Sequence, residues 1–301
     1  MTHRRAVALM IVCTLLWGLA GVVTRQLDGA RSFEVTFWRS LFNAAALFVA
    51  LLAMRGAAGL WRDVRCGGVA LWFSALCWAV MYTNFMVALT LTTVATVLVT
   101  MAISPLVTAM FARVFLRHRL PARTWGAVGL AGLGIAWMFG RQALDSGSSM
   151  TGAMVALGVP MAAAANWTLL QHLHQRHAAD ASIEEPQMLP AVLLGAVLSA
   201  AVTLPLALPF SATGHDLSWL ALLGVVQLAV PCLIVVRLSS VLPAPEISLL
   251  GLLEVIFGVL LAWVGAGETP SAAAITGGAL VLLALAANEG WALRERSRAL
   301  G

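Results

Sequence analysis

Residues 6–24, AVALMIVCTLLWGLAGVVT, are nineteen in a row without a charged side chain. A helix of that length crosses the ~30 Å hydrocarbon layer of a bilayer, whereas the apolar core of a secretory signal takes only about 7–15 residues. The stretch is therefore expected to remain as a first membrane span. Working outward from it, nine more apolar stretches follow, at 33–54, 68–90, 93–116, 124–140, 150–172, 187–209, 217–238, 246–265 and 271–291. Ten crossings use about 200 positions and leave about 100 for loops and termini, too few for a separate globular domain. With 61% apolar and 10% charged residues the chain is not a soluble domain, which runs nearer 45–50% and 25%. It must bury its surplus against lipid.

An even number of spans puts both ends on one side, and the arginines say which. The N-terminus and the second, fourth and sixth loops, with the C-terminus, carry thirteen Arg; the opposite face carries three, Arg25, Arg31 and Arg141. By the positive-inside rule both termini are expected to be cytoplasmic, in a cell inner (plasma) membrane. All eighteen basic residues are Arg, and the sequence contains no Lys. That excludes a Walker-type phosphate loop and Schiff-base chemistry within this chain. A net charge of +5 carried in interhelical loops, without an aromatic-interleaved patch, is a topology signal and does not indicate nucleic acid. Cys13, Cys66, Cys77 and Cys232 lack paired metal spacing and are expected to pack as small hydrophobes.

The longest polar stretch, 174–186, is a candidate linker, and the ten spans are taken five and five, as 1–145 and 146–301, two repeats of one structural unit. An odd number of spans per half means that any repeat is inverted in the membrane. RHRLPARTWGAVG at 117–129 and GAGETPSAAAITGG at 265–278 are each a Pro-containing hairpin with a Gly-containing helix start. The fold class is thus all-α integral membrane, ten transmembrane helices as two inverted five-helix repeats around a central cavity.

Trp17 lies mid-span, away from the headgroup zone where Trp concentrates, so it either packs or walls that cavity together with Trp78, Tyr82, Trp167 and Trp263. Arg39 stands six residues into the second span, with Asn43 one turn below it. A guanidinium there costs about 2.5–3.5 kcal/mol unless it faces the bundle and finds acceptors. It is either a tether, to carbonyls or to Glu34, or a clamp for a substrate carboxylate. Glu254 is eight residues into the ninth span, near the midplane; it stays protonated or pairs with a cation, Arg39 or Arg237. A proton-coupling role is open to it, with static pairing as the alternative. Pro105, Pro160, Pro205 and Pro231 should interrupt the fourth, sixth, seventh and eighth helices. A pocket is expected near Ser104 and Pro105, with Asn84, Asn166 and Gln227 as uncharged polar contacts.

His172, His174, His177, Asp180, Glu184 and Glu185 are the cluster that most resembles metal ligands, but the spacing fits no motif and reads as a solvated loop, so no metal is assigned. Gly126, Gly129, Gly132 and Gly134 follow no strand, and point to close helix packing instead of a dinucleotide turn.

LLWGLAGVVTR at 15–25, FWRSLF around Arg39, and the paired segments SPLVTAMFARVFLRHRL and LLEVIFGVLLAWVGAGETP resemble the EamA-type exporters of the drug/metabolite transporter superfamily, along essentially the whole chain. Within it the sequence is most similar to the YddG-type exporters of aromatic and other neutral amino acids. Two positions depart from the pattern: His118 stands where the first hairpin often has Glu, and Val255 follows Glu254 where the second copy often has Pro. The second departure puts a kink in the ninth helix in question. The resemblance implies a basket of two inverted halves around a midplane cavity and export by alternating access, without a cofactor.

Three functions are weighed. A secondary exporter of small metabolites, foremost neutral or aromatic amino acids, suits aromatic walls with few fixed charges. A multidrug exporter of lipophilic cations would use the same walls through cation–π attraction. An intramembrane enzyme needs clustered acid, base or metal groups, and the histidines, at 3, 118, 172, 174, 177 and 215, lie at or near span ends.

Overall fold

In lipid every backbone polar group must be satisfied within the segment, so apolar stretches of this kind fold as helices. The computed structural model describes residues 1–24, 26–30, 32–91, 97, 100–101, 103–116, 121–145, 150–180, 186–266 and 272–300. In chain order the helices are α1 (His3–Thr24), α2 (Ser32–Cys66), α3 (Gly68–Leu91), α4 (Ser104–Phe115), α5 (Ala122–Asp145), α6 (Met150–Ala179) and α7 (Leu189–Ala207). They continue with α8 (Gly214–Leu238), α9 (Ala244–Gly251), α10 (Leu253–Ala266) and α11 (Ala272–Leu300). Seven helical runs among the described residues are long and apolar enough to cross a membrane, the last being Ala244–Leu261. Two more, Ser104–Phe115 and Ile275–Asn288, are apolar but shorter. The protein is an all-helical, multi-pass membrane protein.

α2, α6 and α11 run further than their apolar patterns, α11 to Leu300. α2 continues past Arg55 to Cys66, turning only at Gly56, whose φ of 69° is one that a side chain disfavours. The turn lets Arg55 reach Asp63 with two hydrogen bonds, from Nε at 2.9 Å and Nη2 at 3.1 Å. α6 continues to Ala179, so His172, His174 and His177 lie on helix where a loop is expected; Glu184 and Glu185 fall outside the described residues.

Breaks occur where the backbone lacks a donor, and in one place where it does not. Pro160 and Pro205 lie inside α6 and α7. Pro231 follows a π-helical turn, Leu223–Ala229, which ends with the Val230 N–H on the Val225 carbonyl; the wider turn accommodates a residue that cannot donate. Pro105 does not interrupt α4. It sits in the first turn, where its missing N–H costs nothing, and the chain turns at Ile103 ahead of it. The ninth span, where Val255 in place of proline puts a kink in question, is broken all the same: at Leu252 the ladder tightens to Leu252 N–H on Leu249 O and Val255 N–H on Leu252 O, both 3.1 Å.

α2 packs on α7, α3 on α6 and α7, α1 on α8 and α10, α4 on α6 and α9, and α5 on α11. Apolar side chains gain little from leaving lipid for each other, so small residues set these crossings. A Cβ on Gly195 of α7 would lie 2.4 Å from Trp78 Cβ and 2.9 Å from Ala75 O of α3. Of Gly126, Gly129, Gly132 and Gly134 in α5, Gly134 alone makes such an approach, with its Cβ position 2.7 Å from Gly277 O of α11; the other three face open space.

Two carboxylates staple the bundle at the end away from His3. Glu34, at the start of α2, accepts from Ser211 N–H, Ser211 O–H and Ala212 N–H at 2.8–3.0 Å. Asp216, in the first turn of α8, accepts from Asp28 N–H at 2.8 Å, Gly29 N–H at 3.2 Å and Thr213 N–H at 2.9 Å. Glu34 thus takes these donors from the other half of the chain, and Asp216 takes Asp28 and Gly29 from the other half with Thr213 from its own. Asp216→Ala should destabilise the protein by about 1–3 kcal/mol, because it removes a charged acceptor from three part-buried hydrogen bonds. Thermal unfolding of the purified variant checks this, and a Tm equal to the parent's would show the staple to be dispensable.

Candidate functional site

A cavity of about 150 Å³ lies where α1, α2, α3, α4, α6, α8 and the α9–α10 break meet, a size that suits a benzene-like group. Its aromatic wall is built by i, i+4 spacing on α3, which puts Trp78 and Tyr82 on one face with centroids 5.5 Å apart. Trp167 of α6 meets Trp78 edge-on, also at 5.5 Å, and Trp17 of α1 completes the wall.

Polar groups enter this apolar shell one at a time. Gln227, on the π-helical turn, donates from Nε2 to Trp17 O at 3.2 Å, while its buried Oε1 and the buried Trp78 Nε1 have no hydrogen-bond partner. Ser104 of α4 and Ser248 of α9 bond each other at 2.9 Å. Tyr82 donates from its hydroxyl to Cys232 Sγ at 3.4 Å.

Arg39 and Glu254 are the two charged side chains in the lining. Arg39, 2% exposed, donates from Nη2 to Tyr82 O at 3.3 Å, and its Nε has no partner. The carbonyl tether is therefore present, and Glu34 is engaged instead at the far end of the bundle. No ion pair joins Arg39 to Glu254. The static pair does not form, and Arg237 is no alternative partner, because its Nη2 lies 3.5 Å from Met54 Sδ, outside the cavity. Arg39 and Glu254 thus face one small space without direct contact, though within electrostatic reach of each other.

The cavity brings together Trp17, Trp78, Tyr82, Ser104, Trp167 and Gln227 of the expected contacts. Three expected contacts lie outside it. Asn84 donates to Val155 O at 3.2 Å and ties α3 to α6; Asn166 accepts from Ser74 O–H at 2.6 Å; Pro105 is buried in its own helix turn. Trp263 is 48% exposed on the outer surface and lines nothing. Met10, Met81, Phe85, Met101, Ser248 and Leu252 line the cavity although their sequence neighbourhoods carry no mark of it. The methionines had one available signal, an unbranched polarizable side chain suited to irregular gaps.

The histidines of α6 do not gather into a ligand set among the described residues; His174 Nε2 lies 3.2 Å from Ser239 Oγ. Asp28, His215 and Asp216 do come close together at the stapled end, but Asp28 and His215 are exposed and the Asp216 oxygens already accept backbone N–H groups. The four cysteines are free thiols.

Residues 4–140 match the model of the EamA-like transporter family. A protein of known crystal structure superposes with a TM-score of 0.74 at 18% identity, over 97% of this chain and 99% of its own, a likeness of fold alone. No curated protein matches the chain in sequence.

Proposed function

We propose that the whole chain is a secondary transporter of the drug/metabolite superfamily that exports neutral and aromatic amino acids by alternating access, as the YddG-type exporters do. The observation that carries this reading is the cavity itself, aromatic-walled, with Arg39 and Glu254 facing it and not joined to each other. A zwitterion satisfies both: its carboxylate meets the guanidinium fork, its ammonium meets the carboxylate, and its side chain meets the rings. Gln227 Oε1 and Trp78 Nε1 supply a further acceptor and donor.

Residues 1–145 and 146–301 form the two inverted five-helix repeats in this reading. The packing pairs support it, since α2 and α7, α5 and α11, and α4 and α9 each meet their counterparts. The remaining pairs exchange under the same two-fold, α1 with α10 for α6 with α4, and α3 with α6 for α8 with α1. Both termini are then cytoplasmic in an inner membrane, as the arginine distribution requires. Glu254 is the group in the lining able to exchange a proton, and the response of flux to an imposed pH gradient tests that coupling.

Lipophilic cations are the second reading, favoured by one acid among aromatic rings. Competition separates the two. In proteoliposomes loaded with radiolabelled phenylalanine, unlabelled phenylalanine should compete, while its decarboxylated amine and its deaminated acid should each fail by about tenfold or more. Equal competition by the amine would assign the cation reading.

A further inference from the structure

A second cavity, of about 420 Å³, opens at the His3 end of the bundle between α2, α6, α7 and α8. Three basic side chains reach it, Arg55, His174 and Arg237, over walls that include Met54, Leu170, Leu189 and Val236. The basic groups differ in what they already hold. Arg55 gives two donors to Asp63, so its charge is compensated within α2. His174 Nε2 lies against Ser239 Oγ. Arg237 has the Met54 sulfur at 3.5 Å and, among the described residues, no carboxylate. A thioether is a weak acceptor and leaves the guanidinium fork largely unfilled.

Arg237 stands in the last turn of a helix that is apolar enough to cross a membrane, which puts its side chain at headgroup depth. The positive end of α7 faces the same space, since Met188 at its N-cap and Leu189 both line the cavity and no side chain caps that helix. Among the described residues, one exposed guanidinium without a carboxylate and one open helix start call for a single negative charge. A phosphodiester supplies it, whereas a free phosphate carries about two. The apolar walls call in addition for acyl chain.

We propose that this cavity binds the phosphodiester headgroup of an anionic phospholipid, held by Arg237 and the α7 N-terminus, with acyl chain along Met54 and Leu189. The site is separate from the transport cavity and does not rest on the transport reading. The test uses the full chain, purified in detergent and stripped of lipid, then mixed with equal phosphatidylglycerol and phosphatidylcholine and read by native mass spectrometry. One phosphatidylglycerol should be retained about tenfold over phosphatidylcholine. Arg237→Gln should bring that ratio close to one, and Arg62→Gln, exposed on α2 outside the cavity, should leave it unchanged. Should Arg237→Gln fail to fold, Arg237→Lys, which keeps the charge and loses the fork, should still lower the ratio. Equal retention by the parent, a ratio that survives the Arg237 variants, or displacement of the lipid by millimolar inorganic phosphate would each overturn the assignment.

Discussion

Arg39→Gln is expected to lower neutral amino-acid flux by about thirtyfold or more in a protein that still folds. A desolvated charge pair that loses one partner gives up about 2–5 kcal/mol, and each 1.4 kcal/mol is tenfold. Glutamine keeps a polar amide in the buried site but ends two bonds short of Nη2, so the hydrogen bond to Tyr82 O is lost together with the cation. The sign differs for the rival substrate. Removing a positive charge from the lining should leave lipophilic-cation flux unchanged or raise it. Glu254→Gln should reduce both fluxes, since the ammonium of a zwitterion and a lipophilic cation need the same carboxylate. The double variant should not restore amino-acid flux, because each charge serves a different end of the solute. Initial-rate uptake in proteoliposomes for the parent, the two single variants and the double variant checks all four expectations. Undiminished phenylalanine flux in Arg39→Gln would detach the carboxylate from this guanidinium.

The second large effect is on assembly. Gly195→Val should lower the Tm by about 2–12 °C. Overpacking costs typically 1–3 kcal/mol, and each kcal/mol moves the Tm of a chain of this size by about 2–4 °C. The new Cβ would meet Trp78 Cβ at 2.4 Å, Ala75 O at 2.9 Å and Ala79 N at 3.1 Å, so α3 itself must move. Trp78 lines the transport cavity, and the shift should weaken solute binding along with stability. Gly126→Ala is the control: nothing lies within 4 Å of its Cβ position, and alanine is the better helix former, so its Tm should hold or rise slightly. Fluorescence-detected thermal unfolding in detergent reads both. Equal melting of the two variants would show that α3 and α7 do not depend on the close approach.

Membership of the cavity illustrates where sequence reading stops. Trp17, Trp78, Tyr82 and Trp167 can be grouped in advance because rings in mid-span lie away from the headgroup zone where Trp and Tyr concentrate, although the same argument takes in Trp263, which lies on the outer surface. Asn84, Asn166 and Gln227 look alike in sequence, each a lone amide in an apolar run, yet only Gln227 reaches the cavity. The reason is rotation. A helix that is apolar all round carries no polar face to orient it, so the direction of one amide is set by the helices packed against it. Asn84 meets Val155 O and Asn166 meets Ser74 because α6 lies there. The π-helical turn before Pro231 then places Gln227 over Trp17.

By itself the amino-acid sequence determined that the chain crosses lipid repeatedly, that its connections are short, and where most helices lie. Length and apolarity are local properties, and a bilayer imposes the same demand on every segment. Tertiary structure decided the rest. It extended α2 beyond Arg55, broke the ninth span at Leu252 without a proline, kept Arg39 and Glu254 apart in one cavity, and left Arg237 facing another. Each of these depends on which backbone lies opposite, and that is a relation between segments distant in the chain, carried by no single stretch of it.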